Sequence, residues 1–435
     1  MKQLRGKDLV LVGLTLFSMF FGAGNLIFPP FVGAQAGENT WPAMVGMAVS
    51  AVGLPVLGVV AVAKAGGLDT LGDRVHPVFS RIFTVVCYLA IGPCLAIPRT
   101  ASTSFEMAVT TFVGAEAPLA LYRLVYTAAF FALALWVALK PEKLTDRLGK
   151  LLCPTLIVLI LIAFAGSLAH NWDGYGPAAT PGYAAAPVVT GFLAGYQTMD
   201  VIAALVFGIV IAISIRARGV TGEREIVAGT VKAGWMAGGL LLAIYAMLAH
   251  MGALSGGQFP GAANGAGVLT NLVFELFGAP GMILLAAIFV IACFNVCVGL
   301  ITSCGEYFYR LWPKLSYRGW AVLFAVVSLA IANAGLDQIL KVSVPVLGAL
   351  YPVAIVLVLL AVCHRWVADR PAVYPAVALC TAAASLLCAG ADYLPGLKAA
   401  LSVLPLAEEG LGWVLPAAAG LLVGLLFPKR GEGRG

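Results

Sequence analysis

Gly22, Ala23, Gly24 and Asn25 interrupt an apolar run, Leu16 to Pro30, that otherwise reads as membrane helix. Two glycines and an asparagine weaken a helix locally. A break there leaves backbone N–H groups free at the start of the outer half-helix. Those donors, with the positive end of the helix dipole, suit a carboxylate. The inner half ends at Ser18 to Phe21 with free carbonyls, which suit a cation. A plainer role is a glycine-lined packing surface, because small residues let membrane helices approach closely. Non-helical backbone at membrane depth is tolerated only where it is buried in protein or lines a cavity. The stretch therefore predicts a discontinuous helix beside a polar pocket, the place where secondary transporters hold substrate and coupling ion.

Three further clusters carry chemistry. Gly195, Tyr196, Gln197, Thr198 and Asp200 form a polar, glycine-bearing segment inside another apolar run. It offers carbonyls for an ammonium and one intramembrane acid, which is expensive and defaults to a functional reading. Local backbone or Arg99 would equally satisfy Asp200. Asn295, Gly299, Thr302 and Glu306 fall along one helical side, with Ser303 adjacent. Two hydroxyls and a carbonyl one turn earlier make half of a Na⁺ site, since hard cations prefer oxygen. The alternative is that Thr302 and Ser303 bond their own i−4 carbonyls. Finally, Gly92, Pro93, Ile97 and Pro98 precede Arg99, with Glu106 two turns later. Arg99 needs a partner: Glu106, Asp200 or a substrate carboxylate.

The elements that position these residues are membrane helices. The chain has 435 residues, 61% hydrophobic and 11% charged, against roughly 25% charged in soluble domains. The net charge of +6 sits in short loops and does not suggest nucleic acid. Spans of about 20 apolar residues place twelve: 8–32, 41–63, 78–113, 119–139, 150–169, 187–214, 228–252, 279–305, 318–334, 338–363, 372–390 and 412–428. The third is too long to stand upright, and Pro93 and Pro98 favour a bend. Met1 to Phe21 has the look of a signal peptide, but the apolar run continues to Phe31, so an uncleaved first helix is expected. Bases alternate between loops: Lys2, Arg5 and Lys7; then Lys64 and Arg74; Lys140, Lys143, Arg147 and Lys150; Arg216, Arg218 and Arg224; Arg310, Lys314 and Arg318; Arg365 and Arg370; Lys429, Arg430 and Arg434. Lys341 and Lys398 are the isolated bases of the intervening loops. That pattern puts both termini in the cytoplasm. The two breaks lie five spans apart in opposite orientation, the pattern of two inverted five-helix repeats. The expected organisation is one transporter domain over 1–435, with repeats at 1–170 and 187–363 and two accessory helices in 372–428.

The nine cysteines, among them Cys87, Cys94, Cys293, Cys297 and Cys388, lie mostly in apolar runs and make no CxxC pair. They read as small buried hydrophobes. There is no Walker loop, no metal-type His/Cys cluster and no nucleophile elbow, so neither an ATP-driven pump nor an enzyme finds support, and no organic cofactor or obligate protein partner is expected.

At SMFFGAGNLIFPP, GPCLAIPRTASTSFE, GYQTMD and GLITSCGEYF the sequence resembles the bacterial branched-chain amino acid carrier family, over essentially the whole chain. The resemblance implies Na⁺-coupled import of leucine, isoleucine and valine across the bacterial cytoplasmic membrane, and an all-α LeuT-like fold. It implies a Na⁺ site at Ser18, Phe21, Gly299, Thr302 and Ser303. The Asn of the first break, here Asn25, contributes in LeuT-like proteins to a second sodium site, but the seventh span has no Asn near its centre to complete one. Ile27 and Phe28 stand where an outer-gate arginine is found in the LeuT type. Substrate is expected at Gly22–Asn25, at Gly195–Thr198, and against Gly92, Pro93 and Ile97. Rival readings are a proton-coupled or uncoupled amino-acid exchanger and, from another class, an ion channel.

Overall fold

Proline, glycine and asparagine decide where the helices stop. The computed structural model describes residue 4 and residues 6–113, 117–140, 150–391, 406–407 and 409–427. Lys2, Arg5, Lys143, Arg147, Lys398, Lys429, Arg430 and Arg434 lie outside them, and so does part of the 372–428 pair. The helices are α1 (Lys7–Phe20), α2 (Ala23–Ala36), α3 (Thr40–Ala48), α4 (Leu54–Ala65), α5 (Leu68–Asp73), α6 (Pro77–Leu89) and α7 (Ala96–Ala108). Then come α8 (Leu119–Ala138), α9 (Cys153–Ala169), α10 (Pro181–Ala185), α11 (Pro187–Tyr196) and α12 (Asp200–Arg216). The chain continues through α13 (Glu223–Gln258), α14 (Gly265–Leu311), α15 (Tyr317–Ala332), α16 (Leu336–Val362), α17 (His364–Val367), α18 (Val373–Ala391) and α19 (Val414–Leu426).

By length and composition, eight stretches of the described residues are apolar enough to cross a membrane. The pair α11 and α12, bent by 41°, makes a ninth, and α15 and α19 are shorter apolar helices. This differs from the twelve expected spans for a geometric reason. Ala23–Ala65 and Gly265–Leu311 run 43 and 47 residues, far beyond the roughly 20 that a bilayer core needs. The first turns at Gly37 (φ 52°) and the second at Gly278 (φ 59°). The segment 253–278, read from the sequence as a loop, is largely helical. Asn264 caps α14 by accepting from the Gly267 amide at 3.0 Å, as short polar side chains do at helix starts.

The outside of the bundle is apolar. Leu133 (59% exposed), Ile283 (66%) and Leu386 (63%) point outward, which water would not tolerate over so many helices but lipid does. The interior holds the polar groups: Ser18, Asn295, Thr302 and Ser303 are fully buried.

Two interlocks hold the inner helices. A Cβ added to Gly33 of α2 would overlap the Ala249 carbonyl oxygen of α13, and one added to Gly252 of α13 would overlap the Pro30 oxygen. The same happens between α3 and α11, where Gly46 meets Val188 and Gly191 meets Ala43. Glycine is needed there because backbone touches backbone. The bend expected in the third span lies at the irregular turn Ala90–Cys94, where Gly92 leaves helical geometry. Pro98 sits in the first turn of α7, a position that costs no hydrogen bond.

Candidate functional site

The backbone opens twice near the centre of the bundle. Between α1 and α2, Phe21 (ψ 89°) and Gly22 (φ −125°, ψ −155°) are extended. The Gly22 amide, which a continuous helix would give to the Ser18 carbonyl, goes to Asn25 Oδ1 at 3.1 Å. Between α11 and α12 the chain tightens through i→i−3 bonds at Gln197, Thr198 and Met199, and Met199 is left-handed at φ 67°. For a non-glycine residue that conformation costs energy and persists only where its surroundings hold it.

The two openings face each other. A Cβ on Gly24 would stand 2.7 Å from Arg99 Nη2 and 3.1 Å from Thr198 Cα. Arg99 Nη1 donates to the Gln197 carbonyl at 3.0 Å. Asn25 Nδ2 donates to Asp200 Oδ2 at 2.6 Å and also to the Tyr245 hydroxyl. Tyr245 in turn donates to the same Asp200 oxygen at 2.9 Å. The Val201 amide donates to the Tyr351 hydroxyl at 3.2 Å, and Tyr351 stacks on Tyr196 with centroids 4.6 Å apart. A cavity of about 30 Å³ lies at the junction. Gly22, Ala23, Gly24, Asn25, Arg99, Thr198 and Asp200 form its polar wall; Ile91, Ala203, Phe207, Val296 and Leu300 form its apolar one. The amides of Ala23, Gly24 and Asn25 open α2, where a helix leaves its N–H groups without internal partners. The polar wall thus combines electropositive groups, these amides and Arg99, with the carboxylate of Asp200.

A second group of oxygens lies where α1 packs on α14. Gly299 meets Met19, a Cβ there falling 2.9 Å from Met19 Cγ. The Ser18 hydroxyl is buried with no hydrogen-bond partner among the described residues. Thr302 donates to the Val298 carbonyl at 2.8 Å and Ser303 to the Gly299 carbonyl at 2.9 Å, so both hydroxyls use the i−4 bonds weighed from the sequence. Both polar atoms of the buried Asn295 amide also lack partners among the described residues.

A family model described as branched-chain amino acid transport protein matches residues 5–430. The chain belongs to that family. It is similar to the branched-chain amino acid permease BraB of Bacillus subtilis, 42% identical over 433 residues, covering 97% of this chain and 95% of that one. It is 41% identical to the branched-chain amino acid transport system 2 carrier protein of Pseudomonas aeruginosa, covering 99% and 98%. It is 40% identical to the permease BrnQ of Escherichia coli K12, covering 98% and 97%. These relatives are permeases and carriers, not enzymes. Among solved structures, the fold matches a Na⁺-coupled sialic acid symporter at a TM-score of 0.60 and 14% identity, covering 98% and 92%. It matches Mhp1, a nucleobase-cation-symport-1 family transporter, at 0.57 and 13%, covering 96% and 91%. This family member is therefore a multi-pass, all-helical membrane protein with the fold of these LeuT-like transporters.

In this branched-chain family member several expected residues stand apart from the cavity. Gly92, Pro93 and Ile97 do not line it; Ile91, Ala96 and Thr100 do. The irregular turn rotates the helix, and Gly92 instead faces Cys304, whose Sγ would be 2.7 Å from an added Cβ. Gly195 packs on Ser50, Tyr196 stacks on Tyr351, and the Gln197 carbonyl is taken by Arg99. Glu106 does not meet Arg99. Seven residues along a helix is a rise of roughly 10 Å, and Arg123 of α8 takes the acid at 3.8 Å. Among the described residues Arg99 has no ion pair within 4.0 Å. The Glu106–Arg123 pair is partly exposed, and such pairs contribute less than about 1 kcal/mol. Glu106→Gln is expected to leave leucine uptake within roughly twofold of wild type and the melting temperature nearly unchanged; a loss of uptake would place Glu106 in the transport path.

Sequence reasoning missed Tyr245 and Tyr351. A signal existed. A buried tyrosine hydroxyl must find a partner, and both tyrosines fall in the middle of apolar runs rather than at the interfaces where tyrosine concentrates.

A larger cavity, about 380 Å³, opens near the 66–70 and 216–223 loops. Asp69, Arg216 and Arg310 are among its charged residues. Burial raises the Asp69 carboxyl above its ordinary value, and Asp73 acts in the same direction.

Proposed function

We propose that the protein imports leucine, isoleucine and valine across the bacterial cytoplasmic membrane by alternating access, driven by Na⁺. The observation that carries this reading is the meeting of two helix breaks across one cavity that both Arg99 and Asp200 line. An α-amino acid presents the complementary pair of charges. Its carboxylate meets the first-turn amides of α2 and the Arg99 guanidinium. Its ammonium meets Asp200. Ile91, Ala203, Phe207, Val296 and Leu300 receive an aliphatic side chain, in keeping with the substrates printed in the relatives' names.

The passes are twelve on this reading: α1 with α2, α3 with α4, α6 with α7, α8, α9, α11 with α12, α13, the part of α14 beyond Pro280, α15, α16, α18 and α19. The first ten form two inverted repeats, both termini are cytoplasmic, and substrate sits between the interrupted members. A 30 Å³ cavity holds about two waters, so the substrate enters only when the inner helices tilt apart.

Na⁺ would be held where α1 meets α14. The fit rests on the orphaned, buried Ser18 hydroxyl and on the Ser18 carbonyl, which has lost the Gly22 amide. Phe21 and Gly299 add carbonyls, and Thr302 and Ser303 turn hydroxyls that now bond their own helix. All are hard oxygen donors. An ion there braces α1 at its break. The membrane potential acts on the carried charge at about 2.3 kcal/mol per charge per 100 mV.

One observation favours a second reading, proton coupling. Asp200 is 1% exposed, accepts from Asn25 and Tyr245 and has no cationic side chain within 4.0 Å among the described residues. Leucine uptake into proteoliposomes separates the two. An inward Na⁺ gradient is expected to drive accumulation, and Thr302→Ala with Ser303→Ala is expected to remove that drive. Equal accumulation in choline under a proton gradient would instead assign the coupling to Asp200.

A further inference from the structure

The 380 Å³ cavity falls within the size of small-molecule sites, roughly 300–1,000 Å³, yet the transport reading gives it no ligand. It lies one layer away from the central cavity. Leu205, Gly208 and Ile209 of α12 line it, whereas Ala203 and Phe207 of the same helix line the central one. Phe207 meets Phe20 edge-on, ring centroids 5.3 Å apart, and both line the central cavity and not the larger one.

The chemistry of the larger cavity repeats that of the smaller. Arg310 lines it and has no ion pair within 4.0 Å among the described residues, while its neighbour Arg216 is held by Glu223 at 2.6 Å. Asp69 lines the same space. Tyr88 and Tyr307, which also line it, stack at 3.9 Å and 6°, and Leu205 and Ile209 supply an apolar wall. A guanidinium, a carboxylate and an aliphatic wall in one cavity match a zwitterion with an apolar side chain.

We propose that this cavity is a second, weaker site for free aliphatic α-amino acids. On the orientation proposed above it opens to the cytoplasm, so amino acid accumulated inside fills it and slows further release. The ligand class rests on the proposed central site, whose substrate it shares.

The test is equilibrium binding of radiolabelled leucine to the full chain in lipid nanodiscs, with Na⁺ and with choline. Two components are expected, a tight Na⁺-dependent one and a weak Na⁺-independent one. Arg310→Gln should weaken the second on the order of tenfold and leave the first. Ile209→Trp, which fills the cavity from its apolar wall, should do the same, and it decides alone if Arg310→Gln does not fold. A single component at saturation in the wild type overturns the proposal, as does a weak component that neither substitution moves. A weak component without any tight one supports this site and overturns the central-site reading instead.

Discussion

Asp200→Asn is expected to reduce leucine uptake by about a hundredfold to a thousandfold, with the protein still reaching the membrane. The proposed role of Asp200 is to receive the substrate ammonium at the bottom of a buried cavity. Removing one partner of a buried charge pair costs roughly 3–5 kcal/mol, and each 1.4 kcal/mol is tenfold. The substitution keeps the shape and can keep the hydrogen bonds from Asn25 and Tyr245, whose present lengths to Asp200 are 2.6 and 2.9 Å. Packing therefore changes little and charge changes fully. Tyr245→Phe removes one hydrogen bond to that carboxylate, about 1.5–3 kcal/mol, and should cost roughly tenfold to a hundredfold. The informative comparison is initial uptake against leucine concentration for the two variants beside wild type, normalised to protein in the membrane. Wild-type uptake by Asp200→Asn would sink the ammonium assignment.

Gly24→Val is expected to abolish uptake. The first atom of any side chain at that position would lie 2.7 Å from the Arg99 guanidinium and 3.1 Å from the Thr198 backbone. The arginine can swing aside, but the backbone of the second break cannot. A branched side chain must therefore separate the two openings that the proposed site needs in contact. Gly24→Ala is milder, because the arginine can swing aside and the second break has to give by only a few tenths of an ångström. Uptake is expected to fall several-fold for Gly24→Ala and below detection for Gly24→Val. Substrate binding measured on purified Gly24→Val separates the causes: retained binding without uptake would mean that the position governs movement and not recognition.

Much of the centre was legible in the sequence because breaks advertise themselves. Glycine and asparagine in an apolar run leave few options, and the extended backbone at Phe21 and Gly22 lies where Gly22–Asn25 pointed. The turn at Gln197–Met199 lies within the polar run that marked it. Composition and periodicity fail at contacts between distant segments. Nothing local says that Asn25 meets Tyr245 across 220 residues, or that Arg123 rather than Arg99 reaches Glu106. They also fail at small rotations. One irregular turn at Ala90–Cys94 exchanges Gly92 and Pro93 for Ile91 and Ala96 on the cavity wall. Helical spacing drawn straight through Pro93 could not show that. Thr302 and Ser303 are instructive in another way. The chain supplies the two hydroxyls, both of which bond their own i−4 carbonyls here, and whether they serve an ion is a matter of occupancy and not of sequence.

The glycine interlocks between α2 and α13, and between α3 and α11, bear on how displacement is transmitted. Side chains yield under load by changing rotamer; carbonyl oxygens seated against glycine Cα atoms have no such slack. A tilt begun at the Gly22 end of α2 would be passed to α13, and one begun in α11 would be passed to α3. The two couples would act as stiff levers, in contrast to the side-chain contact of Val296 on Gly22, which can yield.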